Sequence, residues 1–483
     1  MKAAPRLLNY NHASVLPQAL FTDLQCDKIF SAQAVSVLKR SCDQNEILRR
    51  ETLFARLIEG EPLERLKTVL VALTNAERAY SLLQQANIPL DRYYRYRNVL
   101  ISYVYACESL TSLSDLGSMF EDISAYYSSD EKQCTVSEIK EAYQRITALL
   151  ERLHTGLLSF ADKNWLTPND RAVSEFDQIA ECANNLGFSS IEKKSQNAKV
   201  NLALSDAICQ LYADETSEID TLLAKFAEID FCEPFAYISE IKFFVEICEL
   251  VHKAEARGIL HCIPKIAQQP QYVTTELYDI SLLAKNCDCI IPNDADFTEN
   301  EPFYFLLGAN GGGKTTYLRA IGINLVLFRA GCPVFAKDAE IYPFESICSH
   351  FPKDERFDNI GRLDEERARV EEMLNRSNQK TAFLLFNETF SGTDDKRGFL
   401  LLKETVEQVR QAKQFGLFVS HFHEVMSLDY PVLSAETDPT DKNKRTYRIV
   451  KAKGKISSYA DDILKKYRLD RESLRARRNE YGN

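Results

Sequence analysis

Gly308, Gly313, Lys314 and Thr315 stand at the spacing G-x-x-x-x-G-K-[ST] inside the stretch Phe303-Tyr-Phe-Leu-Leu-Gly-Ala-Asn-Gly-Gly-Gly-Lys-Thr-Thr316. That spacing belongs to the Walker A loop, which wraps backbone around phosphate. Glycines let consecutive N–H groups turn inward, where a side chain would block the approach of phosphate oxygens. The expected cradle is Gly308, Ala309, Asn310, Gly311, Gly312, Gly313 and Thr316. Lys314 then reaches the β/γ-phosphates, and Thr315 places its hydroxyl on Mg²⁺. Apolar Tyr304-Phe-Leu-Leu307 reads as the strand that feeds the loop. The helix that follows brings the positive end of its dipole beneath the anion.

The elements that must position this loop divide the chain in two. Five of the 17 glycines fall in the first 300 residues and twelve in the remaining 183. Between residues 90 and 260 the only prolines are Pro168 and Pro234, so long helices are expected there. Leu63, Leu66, Val69, Leu70 and Leu73 form one apolar stripe at helical spacing, and Tyr237, Ile238, Ile241, Phe244, Val245 and Cys248 form a second. The glycine-rich C-terminal part alternates apolar strands with helices, an α/β pattern. The expectation is a mainly α region over residues 1–265, followed by an α/β P-loop domain over 266–483.

Composition narrows the classes. No run of 18 apolar residues is present, and the apolar helix around Ile321–Leu327 is flanked by Arg319 and Arg329, so no membrane span is expected. Met1-Lys-Ala-Ala-Pro-Arg-Leu-Leu-Asn9 lacks the apolar core of a signal peptide, and the thirteen scattered cysteines read as reduced thiols of a cytoplasmic protein. Cys287-Asp-Cys289 has no second pair at zinc-site spacing and is read as structural. A net charge of −11 argues against a general nucleic-acid coat. The basic residues around Lys465–Arg478 are diluted by Asp470, Glu472 and Glu480 and read as a solvated terminal helix.

Four segments in order resemble the MutS family of mismatch-repair ATPases, most strongly over roughly residues 278–467. Gly308-Ala-Asn-Gly-Gly-Gly-Lys-Thr-Thr-Tyr317 is similar to the family's loop, with Asn310 and Tyr317 matching beyond the Walker positions. Pro333–Pro343 resembles the segment from the first helix to the next strand. Phe383-Leu-Leu-Phe-Asn-Glu-Thr-Phe-Ser-Gly-Thr393 resembles the Walker B strand and D-loop, and Val419-Ser-His-Phe-His-Glu424 the switch-histidine segment. Leu20–Ile29, Cys42–Glu46 and Arg49–Leu53 look like the start of the family's core and lever region, with a reduced clamp over about 130–230. The chain starts almost at that region, so no mismatch-reading domain is expected ahead of it, nor a nuclease-like extension behind.

The resemblance implies roles residue by residue. Glu388 stands where the family's catalytic carboxylate orients and deprotonates water. His421 stands where the switch histidine contacts the γ-phosphate. Asn387 replaces the Asp that supports Mg²⁺, through water in many members; its amide oxygen brings no charge. Ser391, Gly392 and Thr393 look like the D-loop that communicates across a dimer. Ile291 and Asn293 lie where the family embraces adenine, and Ile290 replaces the usual stacking aromatic. In the signature helix, Gly361-Arg-Leu-Asp-Glu-Glu-Arg-Ala-Arg-Val-Glu-Glu-Met373 keeps the Gly-Arg start but has Leu363 at the serine position. The implied protein is a homodimeric ATPase that uses ATP and Mg²⁺ to open and close helical levers around DNA. Two other classes stay open: another ABC-superfamily ATPase, and a nucleotide-switched interaction protein with little hydrolysis. The Walker A to Walker B spacing and the absence of L-S-G-G-Q disfavour the former, and Asn387 with Leu363 keeps the latter in play.

Overall fold

In the computed structural model the described residues are 4–8, 15–163, 205–285, 290–352, 362–378, 380–391, 395–437 and 445–452. Helices dominate up to residue 255: α1 (Gln18–Asp23), α2 (Ala32–Leu38), α3 (Gln44–Ile58), α4 (Glu61–Gln84), α5 (Pro89–Thr111), α6 (Ser118–Tyr127), α7 (Asp130–Lys163), α8 (Ala213–Ala224) and α9 (Ile238–Glu255). Local chemistry starts them. Ser31 Oγ accepts from Ala34 N at 3.2 Å and Asp43 Oδ1 from Glu46 N at 2.8 Å, capping α2 and α3. Proline at the first turn starts α4 and α5, where its missing N–H costs nothing.

By contacts the chain forms two compact units, one of residues 1–8 and 60–242, the other of residues 9–59 and 243–483. The first is helical. Leu63, Leu66, Val69 and Leu73 of the expected stripe are buried on α4. Its polar centre is Glu233, which accepts from Lys132 Nζ at 2.8 Å, from Tyr126 Oη at 3.1 Å and from Tyr127 Oη at 3.0 Å. The expected clamp at 130–230 falls partly on residues 164–204, which lie outside the described residues, as do Cys287, Cys289 and the basic C-terminal cluster.

The second unit carries two sheets. A four-stranded mixed sheet has the order β1-β5-β2-β3, with β1 (Lys265–Ile266), β2 (Tyr272–Leu277), β3 (Asn293–Phe297) and β5 (Asp338–Ile341). A six-stranded sheet has the order β10-β9-β4-β8-β7-β6. Its strands are β4 (Phe303–Leu307), β6 (Ser346–His350), β7 (Ala382–Asn387), β8 (Phe415–Val419), β9 (Val432–Thr437) and β10 (Arg445–Lys451). All neighbours in it are parallel except β9 and β10. Strands β4 and β8 are buried along their whole length, as central parallel strands covered on both faces must be. Phe386 of β7 and Phe418 of β8 stack with centroids 4.9 Å apart. Helices α10 (Lys314–Arg329), α11 (Arg362–Ser377) and α12 (Asp395–Gln411) complete the unit. No helix among the described residues is long and apolar enough to cross a membrane.

Helices α1–α3, read from sequence as the start of the helical region, belong by contacts to the α/β unit. Arg50, fully buried on α3, donates from Nε to Glu46 Oε1 at 2.8 Å and from Nη1 to Ala330 O at 3.1 Å, satisfying a carbonyl at the end of α10. Gly331 follows with φ +71°, and a Cβ there would stand 2.8 Å from Arg50 Cβ. Arg50→Ala removes one partner of a buried ion pair and strips that carbonyl, so a loss of about 3 kcal/mol or more is expected. Urea unfolding of the full chain measures it. Arg49→Ala, the more exposed neighbour on the same glutamate, serves as control and should cost under about 1 kcal/mol.

Candidate functional site

Strand β4 delivers the glycine loop and α10 carries it away. Gly308 takes φ +130°, and its missing side chain lets Ala435 of β9 approach, since a Cβ would lie 2.9 Å from the Ala435 methyl. Gly313, at φ +90°, is the N-cap of α10. The Lys314 side chain folds back across the loop and donates to Gly308 O at 2.8 Å, Ala309 O at 3.2 Å and Asn310 Oδ1 at 3.3 Å. All three are neutral oxygens, and Lys314 is only 5% exposed. Burial therefore holds its ammonium below the usual lysine range; the Glu388 carboxylate pulls upward and Arg445 adds to the depression. A desolvated cation with neutral ligands gains most from an arriving anion.

A cavity of about 580 Å³ opens beside the loop. Its wall takes in Asn310, Gly311, Gly313, Lys314, Thr315, Thr316, Ile291, Asn293 and Glu388. Gly308, Ala309 and Gly312 shape the turn but are not part of that wall. Thr315 Oγ1 donates to Asn387 Oδ1 at 3.0 Å, so the two oxygens read as Mg²⁺ supports are adjacent, with Glu388 next in the chain. Among the described residues no group of three His, Cys, Asp or Glu side chains converges on a metal-ion site. Thr315 and Asn387 still suit Mg²⁺, which keeps several waters and takes phosphate oxygens as ligands.

Other expected residues stand apart. His421 follows β8, is exposed, lies tilted against Phe422 with ring centroids 4.1 Å apart, and does not line the cavity. Ser391 is described, its N–H donating to Glu388 O at 3.3 Å, while Gly392 and Thr393 lie outside the described residues. Leu363 packs against the apolar core of the six-stranded sheet. Arg367 pairs with Glu371 one turn on, at 2.9 Å on the open face of α11.

Asn293 engages the backbone of β10. Its Nδ2 donates to Tyr447 O at 3.1 Å and its Oδ1 accepts from Ile449 N at 2.7 Å. This fixes a bulge in which Tyr447 adopts φ +57°. The Tyr447 ring thereby lines the cavity near Gly313. Sequence reasoning missed it. The alternation around Tyr447 marks a strand, but nothing local says that this strand returns to the glycine loop. Asp279, Leu277 and Leu282 line the same cavity and were missed for the same reason.

Residues 304–458 match the family described as MutS domain V. The DNA mismatch repair protein MutS of Listeria welshimeri is 24% identical over 249 residues, covering 50% of this chain and 26% of that protein. The DNA mismatch repair protein msh-2 of Neurospora crassa is 27% identical over 264 residues, covering 53% and 25%. The endonuclease MutS2 of Lactococcus lactis subsp. cremoris is 22% identical over 434 residues, covering 85% of this chain and 53% of that protein. The chain thus spans about half or less of the length of these curated relatives. A glycine loop closed by a buried lysine thus lies in a stretch that matches MutS domain V, and the likeness to MutS-family proteins reaches back beyond that stretch toward the helices.

Proposed function

We propose that this protein is an ATP-hydrolysing, DNA-associated member of the MutS family that acts as a homodimer, with MutS-like lever and ATPase regions over residues 1–265 and 266–483. The observation that carries this is the Lys314 ammonium, buried on neutral oxygens in a glycine loop, with Thr315, Asn387 and Glu388 converging beside it. ATP enters the cavity with its phosphates in the loop. Its base lies toward Ile290, Ile291 and Tyr447, where Tyr447 supplies the aromatic face that Ile290 lacks. Lys314 exchanges its loop carbonyls for phosphate oxygens. Mg²⁺, when bound against Thr315 and Asn387, supplies charge neutralisation at the phosphates. Glu388 orients the attacking water and takes its proton. His421 approaches the γ-phosphate only as the loop after β8 turns inward, and Ser391, Gly392 and Thr393 meet the partner subunit.

Asn387 favours a second reading. An amide at the metal supports binding without adding negative charge, which suits an assembly switch that turns over slowly. One experiment separates the two: ATP turnover by the full chain with and without Mg²⁺, alongside anisotropy titrations of duplex and branched DNA across a salt series. The primary reading expects Mg²⁺-dependent phosphate release and DNA affinity that falls steeply with salt. ATP binding with no turnover, together with salt-insensitive or absent DNA binding, favours the switch.

A further inference from the structure

We infer that His350 is a positioning residue for Glu388, holding the turn that carries this carboxylate and so acting on the rate of the chemical step more than on nucleotide affinity. The inference rests on the reading of Glu388 as the water-activating group.

The turn after β7 is a conformation that does not hold itself. Glu388 has φ +47° and Phe390 φ +66°, both in the left-handed region that side chains with a Cβ disfavour. Neighbouring elements must therefore over-determine it. Strand β8 contributes one contact, Glu388 N donating to Val419 O at 2.9 Å. Helix α11 contributes another, Phe390 N donating to Glu366 Oε2 at 3.1 Å. Between these two lies Thr389, which is 1% exposed, and its hydroxyl is hydrogen-bonded to Nδ1 of His350 at 2.9 Å. His350 is also 1% exposed and is the last residue of β6, paired in register with Phe386 of β7. A strand end that needed only packing would be filled by an aliphatic residue. A buried imidazole bears a desolvation cost unless its polar atoms are engaged, and the low local dielectric strengthens the bond it makes. The ring also sits on only two side-chain torsions, so the link from β6 to Thr389 is short and stiff.

The Lys314 ammonium takes its hydrogen bonds from residues 308–310, not from this turn. Loss of the His350–Thr389 bond should thus loosen Glu388 while leaving phosphate binding in place. A carboxylate displaced by about 1 Å costs up to about 100-fold in rate.

The test uses the full chain with three readouts: steady-state ATP turnover, affinity for a fluorescent ATP analogue, and hydrogen–deuterium exchange of the peptide spanning residues 382–391. His350→Ala and Thr389→Val should each lower kcat by about 10- to 100-fold, with KM and analogue affinity within about twofold of wild type. The double variant should be no slower than the worse single, because both remove one bond. His350→Asn, whose amide stands near the position of Nδ1, should recover most of the lost rate and restore slow exchange in the turn. Additive losses in the double variant, a parallel fall in affinity, or no recovery with Asn would overturn the assignment. If the wild-type chain turns over no ATP, the role of Glu388 fails, and exchange still decides for His350: a turn equally protected in wild type and His350→Ala refutes the positioning role.

Discussion

Lys314→Ala is expected to lower ATP affinity and turnover by about 100-fold or more, the scale set by removing one pre-organised charge from a desolvated phosphate site. The lysine is buried, its three donors end on neutral oxygens of its own loop, and burial already disfavours its charge. A phosphate oxygen is therefore a better ligand for it than anything it touches without nucleotide. Lys314→Arg keeps the charge but brings a planar fork too large for the space between Gly308 and Asn310, and should recover little. Isothermal titration with a non-hydrolysable ATP analogue measures the loss. Affinity unchanged in the alanine variant would remove the nucleotide reading altogether.

Glu388→Gln is expected to reduce turnover by about 10²- to 10⁴-fold, the usual contribution of a general base, while ATP stays bound. The substitution is isosteric and leaves the φ +47° backbone and the bond from Glu388 N to Val419 O in place. It also removes the carboxylate that draws the Lys314 pKa upward, a change that bound phosphate offsets. Because nucleotide then persists, the proposed two-fold dimer should accumulate. Sedimentation of this variant at micromolar concentration with ATP and Mg²⁺ should show a dimer, and a monomer under those conditions would count against the shared-interface arrangement.

Legibility followed sequence distance. The glycine loop could be read because its chemistry is packed into eight consecutive positions, Gly308–Thr315, and Tyr304–Leu307 announced a buried strand by being uniformly apolar. The α4 stripe was legible for a similar reason, since helical periodicity is local. The docking of α3 was not. Arg50 reads as an ordinary helical arginine until Ala330, 280 residues away, is brought to it. Tyr447 reaches the cavity only through a bulge pinned by Asn293, 154 residues upstream, and His350 meets Thr389 only across two parallel strands. The side chains around the loop that sequence reasoning overlooked are those recruited by tertiary contacts, and no pattern in their own neighbourhood distinguishes them.

The discontinuity of the α/β unit has a consequence for how the chain is made. Helices α1–α3 leave the ribosome early, yet Arg50 must wait for a partner 280 residues later and Asp23 for Ser349, 326 residues later. At about 5–20 residues per second, that delay is roughly 15–65 seconds. The intervening helical unit has its own core and is complete well before then. Synthesis thus runs inward then outward: the inserted unit folds first, while the leading helices keep apolar faces such as Leu20, Phe21 and Leu24 uncovered until strand β6 and helix α10 emerge. During that interval those apolar faces stay exposed to water, and pauses in translation after residue 243 should lower the yield of folded chain more than pauses before residue 59.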